Sequence, residues 1–569
     1  MRFARNKSLA RQHWLAAAGI ATALVLPFTA QAEITSEELT PLRGLNPSAG
    51  IGTLDPGRDG GLPLDIWGGT DGELAQSLLD AIPANNQLSV LRDLSRRVLA
   101  STVRAPENSA NDFAFQRVYA LLRLGYFAEG RQLALASRAQ DSDVAQRYMA
   151  TADILAGDTD QACTTLRDAD RDNAAGDGFW ERLDLLCQTL DNNRGAVSFL
   201  SNLLRETNNG SETLLIAAQS LVLGQPNSLL DALDDATTDL SVVDPVDEPV
   251  LFALLSRASF IAGPDAPLLH QKAWLNQQTA PLKEVPPALS LARELARSGW
   301  LSADDYRDVL ARAGLETEDL SDPIGTDADD LVGGDRFALL VEAANSEAID
   351  AAKAELITSA WVESQPLGGG AMTLLADLVA TVTPGPGTES LAPVAFLLFS
   401  TLNQPEQAAP WVRQLGQQPA AAIGQFIREM DRRTGTAASL PNTALYAGLI
   451  PTARAAQQAL QRGQPTGIAR SASMVGIGED QANIGALTTL LTAPADSGGQ
   501  AQVVLASMLL AGQQDMASLS PVLVNLLTGS LYRVGLEAEA RAFARQAVLA
   551  KAVELGLDGT SGNGRQNDE

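Results

Sequence analysis

RLGYFAEGRQLALAS at residues 123–137 and LAGDTDQACTTLRDA at residues 155–169 carry one message. In each, a helix closes on a glycine (Gly125, Gly157), a four-residue turn follows, and a second helix opens on a small residue five positions on (Gly130, Ala162). The pattern returns in TLDNNRGAVSFLSNLL from Thr189, read as closing at Leu190 with Gly195 at its fifth position. It returns again in LGQPNSLLDALDDA from Leu223, closing at Gly224, where Leu229 breaks the small-residue rule. The turn positions step by 32, 33 and 34 residues. A period of that size marks stacked helix-turn-helix units, none of which buries its apolar face alone. Glycine takes the left-handed backbone that closes a helix, and the small residue lets the return helix approach the first. The expected fold is all-α: an α-solenoid of stacked helical hairpins in one or two sub-arrays.

Two further segments fit the pattern, YAGLIPTARAAQQAL from Tyr446 (Gly448 with Ala453) and RVGLEAEARAFARQA from Arg533 (Gly535 with Ala540). Together these units resemble the tetratricopeptide repeat, whose turn carries a Gly and whose second helix usually opens on an Ala. The family's large aromatic before the turn is replaced by Leu121 and Asp153 in the first two units. The resemblance implies a curved superhelix whose concave face receives a peptide or another protein's helix.

Around this core, residues 1–32 read as a signal peptide. Arg2, Arg5, Lys7 and Arg11 form a basic start, Leu15 to Phe28 is mostly apolar, and Ala30-Gln31-Ala32 offers a small-residue cleavage site. That apolar run falls short of the roughly 20 residues that span a bilayer. Residues 33–70, rich in Pro and Gly, read as an extended leader that is either a tether or a strap along the first helices. A repeat array over 71–240, an irregular helical region over 241–440, C-terminal repeat-like helices over 441–557 and a disordered polar tail over 558–569 follow. The full chain has formal net charge −27, and losing the leader leaves 37 basic against 68 acidic residues. Such a surface disfavours nucleic acid and anionic lipid and attracts a basic partner or a divalent cation, although acids scattered on helix faces read first as a solvated surface.

Few residues announce chemistry. Cys163 and Cys187 each stand 12 residues from Ala175, in a loop between two helices, so they fall at equal height on antiparallel neighbours. In an oxidising compartment that spacing predicts a structural disulfide worth about 3–4 kcal/mol. His270 is the one histidine outside the leader, and a lone helical His reads as structural. The acidic loop 315–335 departs from the calcium-loop spacing, with Val332 where the turn Gly belongs. No cofactor or metal site is predicted.

The leading expectation is a non-catalytic, periplasmic (or secreted) interaction scaffold for a protein or peptide of the cell envelope, serving assembly or motility. The alternative is a cell-wall-acting enzyme. Soluble lytic transglycosylases couple a helical superhelix to a lysozyme-like domain with a catalytic Glu-Ser dipeptide, and Glu363-Ser364 resembles it. The family's next signature, Gly-Leu-Met-Gln, has only Gly370-Ala371-Met372-Thr373 as its nearest match.

Overall fold

The computed structural model describes residues 50–169, 177–225, 242–258, 263–325, 335–365, 368–416, 418–430, 439–462, 481–492 and 499–560. The leader and its cleavage site, the return segment expected after Gly224 and residues 326–334 of the acidic loop lie outside them. Among the described residues there are 24 α-helices and no strand.

The first nine are α1 (Gly72–Asp80), α2 (Ser89–Ala100), α3 (Phe113–Arg123), α4 (Phe127–Ala136), α5 (Ser142–Leu155), α6 (Thr159–Asp168), α7 (Phe179–Leu190), α8 (Arg194–Glu206) and α9 (Glu212–Leu223). Then come α10 (Pro249–Arg257), α11 (Leu268–Gln277), α12 (Ala288–Arg297), α13 (Ala303–Ala313), α14 (Arg336–Ser346), α15 (Asp350–Glu363), α16 (Gly369–Ala380), α17 (Ala392–Thr401), α18 (Pro405–Ala408) and α19 (Pro419–Glu429). The last are α20 (Ile450–Arg462), α21 (Gln481–Thr492), α22 (Gln500–Ala511), α23 (Pro521–Arg533) and α24 (Glu537–Glu554). From α3 to α13 each helix packs on the next, and alternate helices such as α3 and α5, or α7 and α9, also touch. The fold is an all-α array of stacked hairpins.

The hairpins share one closure. After α3, the Gly125 N–H donates to Leu122 O and the Tyr126 N–H to Leu121 O, both at 2.9 Å. The same pair of bonds recurs at Gly157, Asn192, Gly299 and Gly535, all with positive φ. This is the Schellman arrangement, which satisfies carbonyls the helix leaves orphaned. It corrects the third unit: the left-handed residue is Asn192, not Leu190, which is the last residue of α7. Asparagine tolerates that conformation, so the turn was written without glycine. The register moves two residues, and the packing position becomes buried Val197, while Gly195 is exposed with nothing but its neighbour Asn193 close by.

Gly130, Ala162, Ala453 and Ala540 are buried; the helices of Gly130, Ala162 and Ala540 pack on the preceding helix, whereas that of Ala453 packs on the later α23 and α24. A Cβ on Gly130 would stand 2.7 Å from Leu122. Gly448 differs: it follows the short 3-10 turn Ala444–Tyr446 rather than an α-helix, its φ is not positive, and it packs against Leu555. Asp153, standing where the repeat family has an aromatic, is buried and pairs with Arg131 of α4 at 2.6 Å. That ion pair joins successive hairpins.

The ends of the array meet. α1 and α2 pack against α22, and α2 also packs against α24. Asn86 donates from Nδ2 to Gly512 O (3.0 Å) and Met508 O (3.3 Å), closing off the C-terminal end of α22. Arg97 pairs with Glu539, and the Ala501 N–H donates to Ile66 O. The extended stretch from residue 50 is therefore a strap: Leu62, Ile66 and Trp67 are buried, and Arg117 fastens it with bonds to Ile51 O, Leu99 O and Ser101 O. Asp558, at the start of the expected disordered tail, is instead buried and accepts from Trp361 Nε1 (2.7 Å) and Gln365 Nε2 (2.9 Å). Residues 561–569 lie outside the described residues.

Candidate functional site, a central recess

The hairpin turns converge. A Cβ on Gly125 would stand 2.7 Å from the Trp300 ring, and one on Gly157 2.2 Å from Asn276 O. Asn276, at the end of α11, donates from Nδ2 to Leu155 O at 3.0 Å, and its neighbour Gln277 donates to Ile154 O. These amides cover carbonyls at the open end of α5. The triplet Gly368-Gly369-Gly370 wraps the turn after α12: Cβ atoms there would meet Arg297 O, Gly299 Cα and Leu301 O within 2.4 Å. Only glycine lets these two chain segments come so close.

Between these turns lies a recess of about 1250 Å³. The strap, α2, the turns after α3, α5 and α12, the outward face of α13, the start of α16 and one face of α24 form its walls. N-terminal, central and C-terminal parts of the chain thus share one concavity.

Trp300 sits at the hinge of these walls. Its indole Nε1 donates to Asn86 O (3.0 Å), and the Arg92 guanidinium lies 3.6 Å from its ring centroid. Arg92 is fully buried and donates to Leu124 O at 2.8 Å, capping α3; burial pushes its pKa down to about 10. Lys272 of α11 donates from Nζ to Trp300 O (2.8 Å), with the Phe127 ring 5.7 Å away. Burial lowers its pKa to about 8, with Asp305 opposing and Arg92 adding to the shift.

The remaining wall charges are largely paired. Arg96 holds Asp93 (2.7 Å) and faces Glu129 (3.6 Å); Arg307 bridges Asp304 on α13 and Asp377 on α16. Asp305 is occupied at the helix start, where it and Ser302 form a capping box. The recess therefore presents alternating charges with some apolar surface such as Met372 and Ala542.

Glu363 is not part of this wall. It ends α15, and its carboxylate lies 3.5 Å from Arg336 and 3.9 Å from Arg293, which also holds the fully buried Asp335 at 3.3 Å. Asp335 caps α14 by accepting from the Ala338 N–H. His270 is buried in α11, its ring edge-to-face with Phe252. Cys163 and Cys187 are bonded, joining α6 to α7 with Cα atoms 5.9 Å apart. Among the described residues, no three His, Cys, Asp or Glu side chains are grouped to hold a metal, and no helix is long and apolar enough to cross a membrane.

No protein-family model, curated protein or solved structure matches this chain. The residues that build the recess, Trp300, Lys272 and Arg92, had one available signal. RELARSGW from Arg293 repeats the helix-then-glycine ending of the first two units, although the step to Gly299 is far from the repeat period.

Proposed function

We propose that this chain is an exported, tetratricopeptide-like interaction scaffold whose central recess receives a segment of a protein partner in the cell envelope. The observation that carries the reading is the recess itself. Its volume of about 1250 Å³ exceeds the roughly 300–1,000 Å³ of small-molecule sites. Its walls come from hairpin turns and helix faces, and they carry paired charges suited to a polypeptide's alternating polar and apolar groups. The basic, then apolar, N-terminal segment and the Cys163–Cys187 bridge support export to an oxidising compartment. The cell-wall-enzyme alternative would use Glu363, which is held between two arginines away from the recess.

Photo-crosslinking from within the native envelope tests the proposal. A crosslinking side chain at Ala538 or Thr373, in the recess wall, should capture the same partner segment. Val242, exposed elsewhere, should not. Filling the recess with Ala538→Trp and Ala542→Trp should abolish capture in a protein that keeps its helical circular dichroism. Equal capture from Val242 would defeat the recess reading. Wall-cleaving activity lost in Glu363→Gln would favour the enzyme.

A further inference from the structure

A second concavity, of about 710 Å³, lies between α1 and the first turns of α3 and α5. It shares no wall residue with the central recess. The rings of Phe115 and Tyr148 stack across it, 6.1 Å apart and 18° from parallel, and Tyr119 lines the same wall. Tyr119 and Tyr148 are half-buried.

Three carboxylates, Asp80, Asp112 and Asp141, edge the groove, and no basic side chain lines it. Two of them have work in the fold. Asp141 caps α5, accepting from the Asp143 and Val144 N–H groups, and Asp112 accepts from Gln116 at 3.1 Å. Asp80 has none. It is the last residue of α1, facing the negative end of the helix dipole, where an acid is unfavourable. Its side chain is exposed, and among the described residues nothing bonds or pairs with it. Beyond the groove, Asp247 accepts from the Tyr119 hydroxyl at 3.0 Å. Burial, chiefly, raises the pKa of both tyrosines; Asp247 adds to it, and Arg123 opposes it at Tyr119.

We infer that this groove binds a lysine- or arginine-bearing segment of a partner protein. A cation between carboxylates and beside half-buried tyrosine rings gains both charge attraction and ring quadrupole attraction. The fold already shows one such contact, with the Arg123 guanidinium 5.9 Å from the Tyr119 centroid. The occupant follows from charge complementarity: an acidic protein, an acidic groove and an acid at α1 that the fold does not use. This goes beyond the recess reading and stands or falls separately.

The test is fluorescence anisotropy with a labelled synthetic peptide of alternating lysine and glycine, using the whole chain at two salt concentrations. Binding should weaken about tenfold in the Asp80→Asn, Asp112→Asn, Asp141→Asn triple variant and in Tyr148→Ala. Asparagine keeps the α5 cap, so folding is preserved. A control triple variant at exposed Glu181, Glu206 and Glu406, each changed to Gln, carries the same net charge. It should bind as the parent does, as should the recess-filling Ala538→Trp, Ala542→Trp variant. Absent binding by the parent, or equal weakening in the control, would overturn the inference.

Discussion

Trp300 donates its indole N–H to the backbone carbonyl of Asn86, 214 positions earlier, at 3.0 Å. Asn86 in turn donates to carbonyls at the end of α22. Two side chains therefore connect the middle of the chain to both ends of the array, and Arg92 stacked on the same indole ties in α2 and α3. Open solenoids have independent ends; here the ends meet directly, and Trp300 ties the middle of the chain to that junction.

Trp300→Phe keeps most of the buried volume and removes the donor. It should cost about 1–3 kcal/mol, since the Asn86 carbonyl stays buried without its partner. Equilibrium urea unfolding measures the loss. Amide exchange should accelerate in α2 and α22 together, because closure holds both. A variant as stable as the parent would mean that the bond from Trp300 to Asn86 adds nothing to the other contacts between the ends.

Two glycines in identical turns should respond differently to the same substitution. Gly157 and Gly535 share φ near 84°, but a Cβ on Gly157 would stand 2.2 Å from Asn276 O, whereas Gly535 has only the Gln500 amide at 3.6 Å. Gly535→Ala should cost about 1–2 kcal/mol, the price of a left-handed alanine. Gly157→Ala adds displacement of α11 and should cost clearly more in the same unfolding assay. Equal losses would show that Gly157 makes no close contact with α11.

Reduction of the Cys163–Cys187 bridge, which spans 24 positions, should lower stability by about 3–4 kcal/mol through the entropy of the unfolded chain. The check is the melting temperature with and without reductant, compared with a Cys163→Ala, Cys187→Ala protein. That double variant should melt at the reduced protein's temperature and ignore reductant.

Local signals were legible and distant ones were not. The left-handed turns at Gly125, Gly157 and Gly535 could be read because glycine, a period and a small fifth residue coincide within a few positions. The turn at Asn192 carries no such signal, because asparagine fills the same conformation without the same letter. The cysteine pairing followed from equal distances to one hairpin tip. The recess was invisible for a physical reason: its walls meet through backbone carbonyls, as at Asn86 and Trp300, and an accepting carbonyl leaves no trace in residue identity. Glu363-Ser364 shows the converse, a suggestive dipeptide that the fold places beside Arg293 and Arg336.

Asp335 gives a pH dependence whose sign is fixed by its burial. Desolvation raises its pKa from 3.8 to about 6, outweighing the pull of Arg293. Between about pH 4 and 6 the folded protein thus keeps a proton that the unfolded chain releases. The stabilisation is complete below about pH 4 and fades as pH rises through 6. A shift of this size corresponds to roughly 2–3 kcal/mol. Asp335→Asn retains an acceptor for the Ala338 N–H and cannot titrate. The difference in unfolding free energy, parent minus variant, should therefore fall across that window while other groups cancel. A flat difference would show that Asp335 titrates as an ordinary carboxylate, with Arg293 compensating fully for its burial.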